Sequence, residues 1–198
     1  MPILTDSFIY LSIFSISFVS NVIPFGGPPY TIITATAILK LGDAYYWPLI
    51  VLASLGAILS KIIIYLAGKF FKKSLRKNRN IMFLSKVSDS NTFYIILFTL
   101  AVIPIFPFDD YLFIAAGAVE VSLLKAIFAL VVAKLIKTAL EVYIELKVIL
   151  AISSLLTLAK PTIGAILTIA FIVFGIIIFK IDWEHYYNKI KGRIGRHI

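Results

Sequence analysis

Four stretches of this chain, at about 3–20, 44–68, 123–149 and 152–179, stay apolar for the roughly 20 residues that a helix needs to cross the hydrocarbon core of a bilayer. In that core every backbone amide and carbonyl must be bonded within the protein, so such runs fold as helices. The composition agrees: 61% of the 198 residues are hydrophobic, 15% are charged, and the mean hydropathy is +1.00, a balance foreign to soluble domains. The chain therefore reads as an all-α polytopic membrane protein, with 1–198 forming one membrane domain. The opening "MPILTDSFIYLSIF" lacks a basic leader and a small-residue cleavage site, and reads as a retained first helix. Cysteine is absent, and both histidines, His185 and His197, fall near the C-terminus. Neither a metal nor a cofactor is expected in the bundle.

The formal charge of +9 is unevenly spread: eleven of nineteen basic residues lie in "KFFKKSLRKNR" (69–79) and between Lys180 and Arg196. Both clusters follow apolar runs, the arrangement of cytoplasmic loops, and both suit anionic lipid headgroups better than nucleic acid. Residues 69–91 read as a basic cytoplasmic connector and 180–198 as a basic cytoplasmic tail, with both termini on the cytoplasmic side of the cell membrane.

Two further apolar stretches are interrupted. The first, 21–41, opens with "NVIPFGGPPY", so that Pro24, Gly26, Gly27, Pro28 and Pro29 break the helix; the second, about 92–121, is broken at Pro104 and Pro107 in "IPIFPFDD". Backbone freed in this way is tolerated at membrane depth only where protein or a cavity covers it. The expectation is two re-entrant hairpins: one from outside within 21–68, one from the cytoplasmic side within 92–149, with 152–179 as the last helix. Six kinked ordinary helices are the plainer alternative. "IPFGGPPYTIITATA" and "IPIFPFDDYLFIAAGA" share an Ile-Pro, a proline break, a tyrosine and a small-residue return helix. Broken segments at matching places in oppositely oriented halves are the mark of an inverted repeat.

Ionisable residues at membrane depth cost roughly 2.5–3.5 kcal/mol each and so face the interior or water. Lys61 shares a helical face with Ser54, Ala57, Tyr65 and Gly68; snorkelling to the headgroups is its bland alternative. Lys134, Lys137, Thr138, Glu141 and Glu145 form one narrow stripe, in which Lys137 and Glu141 are spaced to pair. Asp109 and Asp110, at the hairpin tip, cannot both ionise cheaply without cations nearby, and Lys61, Lys134 and Lys137 are the candidates. One aspartate is expected to cap the returning helix and the other to serve the site. Asn21 and the backbone amides freed by the first break and at the start of 30–40 are a further candidate anion site.

These motifs resemble the DedA family, also called VTT or SNARE-associated, over roughly residues 18–150. "NVIPFGGPP" is similar to the family's first hairpin motif, which usually carries a glutamate near the position of Asn21. "GAILSKIIIYLAGK" resembles its Gly-Asp-x-x-x-Tyr-x-x-Gly-Arg stretch, with Lys61 in the acid's place, Tyr65 and Gly68 matching, and Lys69 as the basic residue. "IPIFPFDDYLFIAAGA" resembles the second hairpin motif, with Ala116 and Gly117 matching and Asp109 near the family's arginine. The two departures together amount to a charge swap in which Lys61 pairs with Asp109 or Asp110. The resemblance implies opposed re-entrant hairpins and movement of phospholipids or polyprenyl phosphates, often linked to protons.

The expected function is a lipid translocator rather than an enzyme. Lys61, Tyr65, Asn21, Lys134, Lys137 and Glu141 would hold a phosphate headgroup, and Asp109 and Asp110 would gate it. The expected partners are membrane lipids, with protons and a second copy of the chain as further candidates. A proton- or cation-coupled carrier of a small solute is the rival, and a purely structural role would require the charged stripes to neutralise themselves.

Overall fold

The computed structural model describes residues 2–23, 29–77, 81, 91–104 and 108–180. The elements are α1 (Pro2–Val22), α2 (Tyr30–Leu41), a 3-10 turn (Asp43–Tyr45), α3 (Tyr46–Phe70), α4 (Lys72–Leu75), α5 (Asn91–Val102), α6 (Phe108–Val119), α7 (Leu123–Leu156) and α8 (Lys160–Lys180). The fold is all-α, with no strand among the described residues.

Local chemistry sets the helix ends. Pro29 precedes α2 with φ −72°, a value its ring imposes and a helix start accepts. Gly42 closes α2 at φ 104°, where its amide donates to Ile38 O at 2.8 Å; a side chain would be strained there. At the end of α6, Glu120 takes the left-handed position at φ 60°. Its amide donates to Gly117 O at 3.2 Å and the Val121 amide to Ala116 O at 3.1 Å, the two bonds of a Schellman cap.

The bundle has two apolar cores. One gathers Ile64, Tyr65, Phe93, Leu97, Phe113, Ala116, Leu130 and Ala133, from α3, α5, α6 and α7. The other gathers Ile13, Ala35, Ile50, Ala53, Val142, Ile149 and Ile163, from α1, α2, α3, α7 and α8. Among the described residues only α3 and α7 run through both, so they form the spine of the bundle. Around them the packing is reciprocal: α1 lies on α3 and α5 on α7, while α2 packs on α7 and α6 on α3. Glycines permit the closest approaches. A Cβ on Gly56 would strike Phe14 O, one on Gly68 would strike Ile114 O, and one on Gly117 would strike Tyr65 O.

Large apolar side chains cover much of the outer surface, while several charged side chains lie buried inside, a distribution unlike that of a soluble protein. Val51, Leu55, Leu59, Ile63, Leu66 and Phe70 line the exposed face of α3, and Leu124, Phe128, Val132, Ile136 and Leu140 that of α7. Among the described residues one segment, Asp43–Phe70, is long and apolar enough to cross a membrane. The apolar segments Asp6–Val22 and Lys160–Ala170 are shorter.

Several sequence boundaries move. The separate runs 123–149 and 152–179 are not divided at 150–151, because α7 continues for 34 residues to Leu156 and the break falls at Thr157, which turns left-handed at φ 53°. Ser153 and Ser154 do not end it; the Ser154 hydroxyl satisfies itself on Ala151 O, and that of Ser153 on Leu158 O. Lys69, placed in the connector, belongs to α3. Of the expected hairpin breaks, Pro29 directly precedes α2 and Pro104 lies in a bend after α5, while Pro24, Gly26, Gly27, Pro28 and Pro107 lie outside the described residues, as does the tail 181–198.

A buried ion cluster as the candidate functional site

Three helices deliver charged side chains to one point between the two cores. Lys61 comes from the middle of α3, Asp109 and Asp110 from the first turn of α6, and Lys134 and Lys137 from successive turns of α7. All five are buried, and Lys61 has no solvent exposure at all. The snorkelling alternative for Lys61 therefore fails: its ammonium group turns inward, where carboxylates compensate the lost hydration.

Asp109 is the hub. Its Oδ2 lies 3.2 Å from Lys61 Nζ and 2.8 Å from Lys134 Nζ, and its Oδ1 lies 3.7 Å from Lys137 Nζ. Lys61 also donates to Asp110 Oδ1. Both aspartates thus engage lysine from the first turn of α6. Lys61 pairs with both carboxylates, which removes the choice between them.

The direction of α6 explains the meeting. It runs parallel to α3: Lys61 meets Asp110 at one end, and Lys72 Nζ meets Glu120 Oε1 at 3.0 Å at the other. Between these points the glycine contacts let the backbones touch. Tyr65, one turn beyond Lys61, is spent on this packing, since its hydroxyl donates to Val121 O at 2.8 Å.

The polar stripe of α7 continues past the cluster and meets the start of α2. Tyr30 Oη and Thr138 Oγ1 are 3.2 Å apart, and Thr31 Oγ1 donates to Glu145 Oε1 at 2.8 Å. Glu141 lies half-buried between Thr138 and Glu145 on the same stripe. Tyr30 and Thr31 were not singled out in the sequence, although both directly follow Pro29. Asn21 is not joined to the cluster by its side-chain bond: it donates to Ser17 O within α1 at 2.9 Å.

At the far end of α6 the charges are exposed. Glu120 accepts from Lys72 and lies 3.5 Å from Arg76 Nη2, while Arg76 Nε donates to Ala118 O at 2.8 Å. The bond from Lys72, with the positive charges of Lys69 and Arg76 nearby, holds the Glu120 carboxyl below its ordinary range.

Three ammonium groups thus converge on two carboxylate oxyanions in a site walled from solvent. No curated protein and no solved structure matches the chain. A family model, the VTT domain, matches residues 19–145, from the end of α1 to Glu145. The match takes in every residue of the cluster and covers more than half of the sequence, so the chain belongs to the VTT domain family, the membrane-associated DedA/SNARE-associated family.

Proposed function

We propose that this protein is a membrane lipid translocator in which the buried lysines receive a phosphate headgroup. The observation that carries the reading is the convergence of Lys61, Lys134 and Lys137 on Asp109. A phosphate offers oxygens of the same charge and hydrogen-bonding character as a carboxylate, so a phospholipid or polyprenyl phosphate headgroup competes with Asp109 and Asp110 for the same cations. Displacing the aspartates opens the site; their return expels the headgroup. The acyl or prenyl tail stays in lipid throughout, which suits a bundle of this size.

The packing supports opposed re-entrant hairpins. Each short helix that follows a proline break, α2 and α6, packs on the long helix of the opposite half, and the N-termini of both converge on one stretch of α7, at Thr138 and Lys134. That is the relation expected of an inverted repeat whose site lies where its broken segments meet. In this reading the basic ends of α3 and α8 face the cytoplasm across the cell membrane.

The burial of all five charged side chains favours a second reading, a proton- or cation-coupled carrier of a small solute, which needs a site sealed from lipid. The deciding experiment is reconstitution into proteoliposomes that carry a fluorescent phospholipid or a fluorescent polyprenyl phosphate. Asymmetric headgroup movement that Asp109→Asn loses supports lipid translocation at this site. Movement of neither lipid by folded protein overturns it in favour of the solute carrier, and movement undiminished in Asp109→Asn overturns the site.

A further inference from the structure

We propose that the corner formed by α3, α4 and α6 binds an anionic glycerophospholipid at the membrane boundary, at a site separate from the buried cluster. A groove of about 330 Å³ opens there, lined by Ala67, Gly68, Phe71, Ser74, Leu75 and Ile114. Its volume is at the lower end for small-molecule sites, right for a length of acyl chain rather than for a folded partner. The floor is almost entirely hydrocarbon, and Gly68, which has no side chain and lies against Ile114 O, keeps it deep.

The rim is strongly basic. Lys69, Lys72, Lys73, Arg76 and Lys77 all fall within one short segment that includes the groove-lining residues Phe71, Ser74 and Leu75. Lys72 and Arg76 share Glu120, and this clamp fixes α4 against the end of α6. Lys69, Lys73 and Lys77 are exposed around it. The corner lies where the long apolar segment Asp43–Phe70 ends, the level at which lipid phosphates are found. An apolar slot beneath a positive rim at that depth is complementary to a lipid with one acyl chain in the slot and an anionic headgroup on Lys69 and Lys73. A protein segment would need polar partners for its backbone, and the slot offers almost none.

The proposal does not depend on the transport reading, because it uses none of the cluster residues. Native mass spectrometry of the purified full chain, titrated with phosphatidylglycerol or phosphatidylcholine, tests it. Two variants are compared with the parent: Lys69→Gln/Lys73→Gln, which removes rim charge, and Ala67→Phe, which fills the groove from an exposed position. The expected result is one tightly retained phosphatidylglycerol, bound at least about fivefold more weakly by the double variant and displaced by Ala67→Phe. Equal retention of both lipids by the parent, or phosphatidylglycerol binding unchanged in either variant, would overturn the proposal. So would an endogenous polypeptide, rather than lipid, occupying the groove. Size-exclusion profiles and helix content matching the parent show that the exposed substitutions leave the fold intact.

Discussion

Lys61 of α3 donates to Asp110 of α6 in the interior of the bundle, at a point where the lysine is wholly removed from solvent. A charged pair in such a place is weakly stabilising as a pair but costly to break, because the survivor keeps its desolvation penalty. Lys61→Met is expected to destabilise the protein by about 3–5 kcal/mol and to abolish transport while leaving a folded chain. Lys61→Met/Asp110→Asn should be less destabilised than the sum of the two single variants. Thermal unfolding in detergent, followed by circular dichroism, checks this; strict additivity would show that the pair is not formed.

Asp109 is approached by three lysines and is the residue on which transport should depend most. Asp109→Asn and Lys134→Gln are each expected to slow substrate movement by at least about tenfold, given that truncating one partner of a buried charge pair typically costs 2–5 kcal/mol. Lys125→Gln, on the exposed face of α7, is the control and should be unaffected. Initial rates in proteoliposomes, normalised to reconstituted protein, make the comparison. Similar losses in all three variants would point to a general charge effect instead.

The helix contacts predict a contrast between two glycines. An alanine methyl at position 117 would meet the backbone carbonyl of Tyr65, which cannot turn aside without moving α3 from α6. At position 164 it would meet the Thr36 side chain, which can change rotamer at the cost of its bond to Ile32 O. Gly117→Ala should therefore cost about 1–3 kcal/mol and also impair transport, since it shifts Asp109 and Asp110 away from Lys61. Gly164→Ala should be milder and leave transport intact. Parallel melting curves and transport rates separate the two effects.

Glu120 supplies a pH dependence whose sign is fixed. Its carboxyl is held below its ordinary value, chiefly by the bond from Lys72, so the folded state favours the charged form. The clamp is fully formed above the unfolded pKa of about 4.3 and weakens as pH falls through the lower folded value. Melting temperature measured from neutral to acid pH should fall more steeply over that window for the parent than for Glu120→Gln. Because the carboxyl is exposed, the difference will be small and will shrink further in high salt.

Much of the buried ion cluster was legible in the sequence because two simple periodicities carry it. At 3.6 residues per turn Lys134, Lys137 and Thr138 share a face, and Lys61 shares one with Ser54 and Tyr65, and both faces turn inward. The adjacent carboxylates Asp109 and Asp110 required cations, and the sequence offered only a few in the bundle. Spacing places Tyr65 on the same face, but could not show that its hydroxyl reaches Val121 O. Tyr30 and Thr31 could not be found by periodicity, since they open a separate helix and reach α7 across more than a hundred residues of chain.

By itself the sequence determined that this chain is helical, that its polar stripes face inward, and that its prolines and glycines interrupt two apolar stretches. All of these are consequences of local backbone chemistry and of the cost of exposing charge to hydrocarbon. Tertiary structure alone decided that α6 lies parallel to α3, and that Asp109 reaches Lys134 and Lys137 as well as Lys61. It also decided that α7 runs unbroken to Leu156. The α3–α6 arrangement depends on how closely Gly68 and Gly117 let two backbones approach. No stretch of sequence encodes such a distance between remote segments; it is set only when the helices pack.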